Sequence, residues 1–441
     1  MLAHEQDHGI WFAARLKQLR WRHLLACSSA LVAMRFTSST LAQDEAEAFI
    51  PKTYPNPPYA TPTPTRYNLK FGSLEARISG SIQAEYNDNI NLSAKNQQSD
   101  FSFGPDVRVG FIYPINEVQL LQLNLGFGYR WYLNHPALAS FALAPDSRLD
   151  YRLTIHKTLS LNFSDSFQIQ SDPTSVPTLS GSPGGSGLLD FRRIVNLAGI
   201  LARWQANEKI GLVAGYNWTY DRSLTPQFTS IDSDTYAFNA GAFYSLNPKV
   251  TLGVMGGYSF TDYRLNQQNN GEGYYFGPNL NFKATKSITM DASVYYAVNS
   301  FGQNGALNGG VSDTSGFVGV TYQASIRHHL NKWFSHGIRL SHGTENGLGS
   351  NFTETTALQY DATTHIFRSL SLNTTFSYQR YAASGTGGET GDLYLLYLGT
   401  NYQLARRWGL GASYVFAWKE ASNSDHNYAQ NRITAQLTHE F

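Results

Sequence analysis

Tyr428–Phe441 reads YAQNRITAQLTHEF, and from Ile433 onward it alternates without a break. Ile433, Ala435, Leu437, His439 and Phe441 share one face; Arg432, Thr434, Gln436, Thr438 and Glu440 share the other. Successive side chains on a strand point to opposite sides, so this is a ribbon with one mostly apolar face and one polar face. It ends on an aromatic, which in a soluble domain would leave an edge that invites pairing with another chain. One such strand fits the edge of any sandwich. The fold turns on whether the rest of the chain repeats it.

It does. Leu121, Leu123, Leu125, Phe127, Tyr129 and Trp131 face one way, against Gln122, Asn124, Gly126, Gly128 and Arg130. Ile78, Gly80, Ile82, Ala84 and Tyr86 alternate in the same manner with Arg77, Ser79, Ser81, Gln83 and Glu85. Period-two order over such lengths predicts strands. Tight turns such as Pro114-Ile115-Asn116, Asn207-Glu208-Lys209, Asn247-Pro248-Lys249 and Asn331-Lys332-Trp333 punctuate them. They return at intervals of roughly 40 residues, one per hairpin. Between them lie longer, softer connections, among them Ser171 to Leu188 and Gly302 to Ser315. Alternating short turns and long loops are the habit of outer-membrane barrels. Eighteen ribbons can be counted, centred from Ile82 to Leu437, those at Leu197 and Leu358 being the least regular. The expected fold is all-β: a transmembrane antiparallel up-and-down β-barrel over residues 74–441, with sixteen strands as the alternative count.

Composition agrees. Charged residues make up 15% of the 441, aromatics 14%, and glycine numbers 38. Soluble proteins carry roughly a quarter charged residues. Mean hydropathy is negative, and no window approaches the roughly 20 apolar residues of a membrane helix. A barrel reconciles these facts, because only alternate residues face lipid. A net charge of +1 gives no reason to expect nucleic acid. Trp131, Trp204, Trp218, Trp333, Trp408 and Trp418 gather near strand ends, which predicts two aromatic girdles.

The N-terminus reads as a secretory signal over residues 1–42. Arg15, Lys17, Arg20 and Arg22 precede an apolar core from Leu24 to Met34, and cleavage is expected before Gln43. The sole cysteine, Cys27, would leave with it. Leu24-Leu25-Ala26-Cys27 has the outline of a lipoprotein box, but its apolar core follows the cysteine instead of preceding it. Residues 43–73, with six prolines from Pro51 to Pro64, form an extended periplasmic segment that a core could not use.

A sheet spans a bilayer only when closed, so the polar faces must line a lumen. The candidate lining residues are Arg77, Glu85, Asp106, Arg108, Arg130, Tyr132, Lys283, Asp291, Tyr295, Arg327, Arg339 and Arg432, with Asp361 and Tyr275 beside them. They are mildly basic, which suits anionic or neutral polar solutes, or simply opposite charges that pair and hold the wall in shape. Inward tyrosines could stack on sugar rings. Catalytic and cofactor patterns are lacking, and metal spacings such as HExxH are absent. Ser341-His342 is no dyad, since neighbours on a strand point apart. Asp88-Asn89 and Asp232-Ser233-Asp234 are oxygen-rich loops of a common kind.

The first ribbon ends Glu85-Tyr86-Asn87-Asp88-Asn89-Ile90-Asn91-Leu92-Ser93. An aromatic followed by Asn-Asp-Asn and an apolar residue in the first hairpin resembles the β-barrel porin 2 family of outer-membrane proteins. The resemblance spans Leu74 to Phe441. It implies an 18-stranded barrel and a porin-like conduit, and in some members export of capsule or exopolysaccharide beside a periplasmic export protein. The last strand also resembles the closing strand of bacterial outer-membrane barrels, in which a terminal Phe is read by the insertion machinery; here Leu437 and Phe441 would carry that signal. The expected partners are outer-membrane lipid and that machinery, with the chain a monomer. A barrel that serves as adhesin or anchor through its loops is the alternative.

Overall fold

The structure, a computed structural model, describes residues 67–144, 146–170 and 191–441. The expected signal segment, Cys27, most of the proline-rich segment and the Ser171–Leu188 connection lie outside the described residues. Two short strands, β1 (Leu69–Phe71) and β5 (Ser140–Leu143), accompany eighteen longer ones. These are β2 (Leu74–Asn87), β3 (Asp100–Asn116), β4 (Gln119–Tyr132), β6 (Arg148–His156), β7 (Leu159–Gln170) and β8 (Arg193–Gln205). Next come β9 (Ile210–Ser223), β10 (Ser233–Asn247), β11 (Val250–Tyr263), β12 (Gly271–Lys283), β13 (Ile288–Phe301) and β14 (Phe317–His329). The last are β15 (Phe334–Asn346), β16 (Phe352–Phe367), β17 (Leu370–Ala383), β18 (Thr390–Ala405), β19 (Trp408–Ala421) and β20 (Tyr428–Glu440).

Each long strand pairs antiparallel with the next, and β20 pairs back onto β2 from Ser79↔Glu440 to Asn87↔Arg432. The ring is closed at eighteen strands, and both edges vanish. The outward face is apolar and bare: Ile82, Val318 and Phe276 are 64–66% exposed. A closed antiparallel sheet with an apolar exterior and a polar interior is the one sheet that a bilayer accepts, and it is the architecture of an outer-membrane barrel. Aromatics ring both ends. Near the long loops Tyr394 stacks on Trp418 and meets Tyr378 at a tilt, each with ring centroids 5.1 Å apart, while Trp204, Trp333 and Trp408 flank the short turns.

Two local details depart from the sequence reading. The turn expected at Pro114-Ile115-Asn116 lies later, at Glu117–Val118, where Asn116 Oδ1 accepts the Val118 N–H at 3.0 Å. The register slips between Pro114 and Asn116, as it does beside four other short turns, between Thr154 and His156, Ser245 and Asn247, His365 and Phe367, and Gln403 and Ala405; the bulge belongs to the turns themselves. The second detail is β1, formed by residues expected to be part of the tether. Beyond Ser79, β2 has outrun β20. Asn68 fills the next place with its side-chain amide, donating to Ile78 O at 2.6 Å and accepting from Ile78 N at 3.0 Å. β1 then covers Leu74–Ala76. Phe441 N–H also donates to Ile78 O. The exposed edge of the first long strand is thereby paired to its end.

Candidate functional site: the lumen and its mouth

The register decides which face each candidate occupies. Arg77, Glu85, Asp106, Arg108, Arg130 and Tyr132 lie on the face of β2–β4 opposite Ile82 and Val107. Lys283, Asp291, Tyr295, Arg327 and Arg339 share that face on β12–β15, and Arg432 on β20. All point to the lumen side.

Most of these charges are paired between near neighbours. Arg130 reaches Asp106 at 3.2 Å and Gln83 at 2.7 Å. Arg108 meets Asp146 at 3.0 Å, Arg327 meets Asp291 at 2.9 Å, and Arg77 binds Glu440. Glu85 accepts from Thr434, and Asp361 from Gln359 and Thr375. The side chains of Lys283 and Arg339 have no such partner among the described residues. Sequence reasoning passed over Arg148, Arg152 and Arg203, which face the lumen too. Arg148 pairs with Asp150 at 2.8 Å. Their signal was present: Arg148, Asp150 and Arg152 alternate with Leu149, Tyr151 and Leu153.

From β8 to β13 the inner wall carries an apolar patch among its polar residues. Leu201, Val213, Phe243, Met255 and Tyr295 form one buried cluster with Tyr275 against it. The large side chains lie along the wall because glycines on adjacent strands make room. A Cβ on Gly253 would stand 2.4 Å from the Phe243 ring, and one on Gly257 2.5 Å from that of Tyr275. Tyr295 is 6% exposed and donates to Asn279. Its ring meets Tyr275 edge-on at 5.2 Å. Inward direction does not make Tyr295 a surface for a solute; its ring is spent on wall packing.

At the long-loop end the lumen is crossed. Leu92, Phe191, Phe228, Leu393, Ala417 and Tyr428 form a single apolar cluster, with Ile231 and Leu348 packed on it. Phe228 lies in the β9–β10 connection, residues 224–232, while Leu393, Ala417 and Tyr428 belong to β18–β20, about half-way round the ring. Residues so far apart in the wall meet only if the loops turn inward over the lumen. Arg193 fixes the turn. It is 1% exposed and donates to Asp221 Oδ1 at 2.7 Å, Phe228 O at 3.0 Å, and Ile231 O and Asp232 Oδ1 at 3.2 Å. Asp232 also accepts the Ser223 N–H at 2.7 Å. The oxygen-rich stretches of the sequence are thus occupied by protein partners, Asp232 by Arg193 and Asp234 by Arg222.

A second junction joins four other loops. Asn351 Nδ2 donates to Ser315 O at 2.8 Å and to Asp313 O at 3.1 Å, and Asn269 Nδ2 donates to Asp313 O at 2.8 Å. The Asp313 carboxylate accepts from Asn351 N–H, Ser315 N–H and the Ser384 hydroxyl. Burial works to raise its pKa, but the hydroxyl and the two N–H groups outweigh burial and hold it below the ordinary value. A depressed carboxylate stabilises the folded arrangement above the ordinary aspartate pKa and loses that contribution as pH falls through its own lowered value. The junction is therefore expected to hold through the neutral range and loosen only in acid below about 3.9. Hydrogen exchange at the Asn351 amide should report the change, and Asp313→Asn should leave the junction weaker and insensitive to pH.

No nucleophile–base arrangement forms at Ser341 and His342: the register puts Ser341 on the lumen side, while His342 stacks on Tyr322 outside. The sequence matches no protein-family profile and no curated protein. Among solved structures the chain is similar to the outer membrane protein OpdK from Pseudomonas aeruginosa, at 13% identity and TM-score 0.48, over 83% of this chain and 99% of that one. It is also similar to OpdL of the same organism, at 14% identity and TM-score 0.45, over 84% and 100%. A third is its OccK2 (OpdF) in complex with glucuronate, at 9% identity and TM-score 0.47, over 83% and 98%.

Proposed function

We propose that this chain is an outer-membrane diffusion channel for small polar solutes, mildly selective for anions, with a mouth narrowed by its own loops. The lumen charge carries the reading. Once the neighbouring pairs are struck, Lys283 and Arg339 stay uncompensated on one wall, and Arg152, which among the described residues meets only the neutral amide of Asn162, faces them from the other, against the two carboxylates Glu85 and Asp361. Opposed cations lining a low-dielectric tube raise the local concentration of anions and lower that of cations. Lipid surrounds the barrel, and insertion read from Leu437 and Phe441 belongs to the same proposal. Polymer export, which the family resemblance implies, would draw on inward tyrosines as stacking platforms. Tyr295 is packed into the wall, so diffusion is the better supported of the two.

The refolded barrel in a planar bilayer should give discrete conductance steps, and a KCl gradient should give a reversal potential on the anion side. The double variant Lys283→Glu/Arg339→Glu should move that potential to the cation side. Silence from both the full barrel and one with residues 224–232 shortened would overturn the proposal.

A further inference from the structure

The lipid-facing side of β14 and β15 carries two histidines directly across from one another: His328 and His336 are register partners. His328 Nδ1 and His336 Nε2 stand 3.2 Å apart, with the rings crossed at 60°. We propose that this pair is a bidentate site for a divalent transition-metal ion of the Zn²⁺ or Cu²⁺ class.

The spacing carries the argument. Metal–imidazole bonds of about 2.0–2.1 Å meeting near the tetrahedral angle put the two nitrogens roughly 3.3 Å apart. The nitrogens already stand at that separation, so binding asks that the rings turn until both lone pairs converge on the ion, the shared proton moving to a ring nitrogen that faces away from it. Neutral imidazole presents a lone pair on either nitrogen according to tautomer, so one tautomer of each ring suffices. His336 is held in place from two sides, by Phe334 stacked at 5.2 Å and Tyr360 at 5.9 Å. Such fixing lowers the ordering cost of binding. Both histidines are partly exposed, beside the short turn where Lys332 lies over Trp333 at 5.0 Å. That is the headgroup level, where water or phosphate oxygen completes the coordination. Two imidazoles and no carboxylate select borderline transition metals over Mg²⁺ or Ca²⁺. Among the described residues no three His, Cys, Asp or Glu gather round a common point, so the site is an open, exchangeable one rather than a closed structural cage.

Calorimetric titration of the refolded barrel in detergent with ZnCl₂ tests it. The expected result is saturable binding that His328→Gln and His336→Gln each weaken at least tenfold. His439→Gln, elsewhere on the same outer face, should leave binding unchanged, and MgCl₂ should give no heat. Heat-modifiable gel migration checks that each variant is a closed barrel. A wild-type barrel that takes up no Zn²⁺, or binding that survives both single substitutions, would show the pair to be a hydrogen-bonded element of the aromatic girdle and nothing more.

Discussion

Arg193→Ala is expected to raise single-channel conductance and to make the open level noisy. The arginine is 1% exposed and makes four hydrogen bonds, two to carboxylates and two to carbonyls of the loop that crosses the lumen. Truncation leaves Asp221 and Asp232 without their cation, their side chains 31% and 14% exposed. Removing one partner of a fully buried pair costs about 3–5 kcal/mol, because the other charge is left behind, and the partial exposure of these carboxylates makes the cost smaller here. Residues 224–232 can avoid most of that cost by swinging out into water, which takes Phe228 and Ile231 away from the apolar cluster at the mouth. The barrel itself should survive, since the β8–β9 ladder runs unbroken from Arg193↔Ser223 to Gln205↔Gly211 on backbone bonds. Arg193→Lys should not rescue, because an ammonium is a single point charge and cannot serve four acceptors from one planar fork. Amide exchange across 224–232 should accelerate along with conductance. If conductance rises without faster exchange, the loop is not the obstruction; if neither changes, Arg193 does not hold the mouth.

The barrel was legible in the sequence because its physics is local. Facing a bilayer on one side and water on the other forces period two, and parity alone assigns each charged candidate to a face. The weakest ribbons have a tertiary cause. Around Leu197 the lumen face carries Val195, Leu197 and Leu201, which blurs the polar–apolar contrast; Leu201 is apolar because it packs on the inner cluster of Val213 and Met255. Around Leu358 the outer face is diluted by Thr356, Ala362 and Thr364. What stayed illegible depends on distant contacts. Asp106 and Arg130 are 24 positions apart, and only the register of β3 on β4 brings them together. Arg193 is 35–39 positions from the loop groups that it holds. Nothing in the composition of residues 224–232 distinguishes a loop that turns into the lumen from one that stands in solvent.

Asn89→Asp is expected to destabilise the closed barrel more than Asn89→Ala does, although aspartate is nearly the same shape. The ladder between first and last long strands ends at Asn87↔Arg432. Above it, the Asn-Asp-Asn stretch takes over the seam. Asp88 accepts Asn431 N at 2.7 Å and Asn431 Nδ2 at 2.6 Å. Asn89 is fully buried and donates through Nδ2 to both Ser93 O and Ala429 O at 2.9 Å, while its Oδ1 accepts Ser93 N at 3.0 Å. Its own carbonyl accepts from Gln430 Nε2. Alanine strands two carbonyls and one N–H, each worth about 1–3 kcal/mol when buried unsatisfied. Aspartate keeps the acceptor but turns the donor into an oxygen that faces two carbonyls, and it adds a buried charge. The temperature at which the heat-resistant gel species is lost should therefore fall from wild type to Ala to Asp. Conductance is an independent readout, because a loosened first loop withdraws Leu92 from the cluster at the mouth. Equal melting of Ala and Asp would mean that the site needs only the volume of the side chain. The ordered result would mean that the short motif near the start of the barrel is there to lock its last strand.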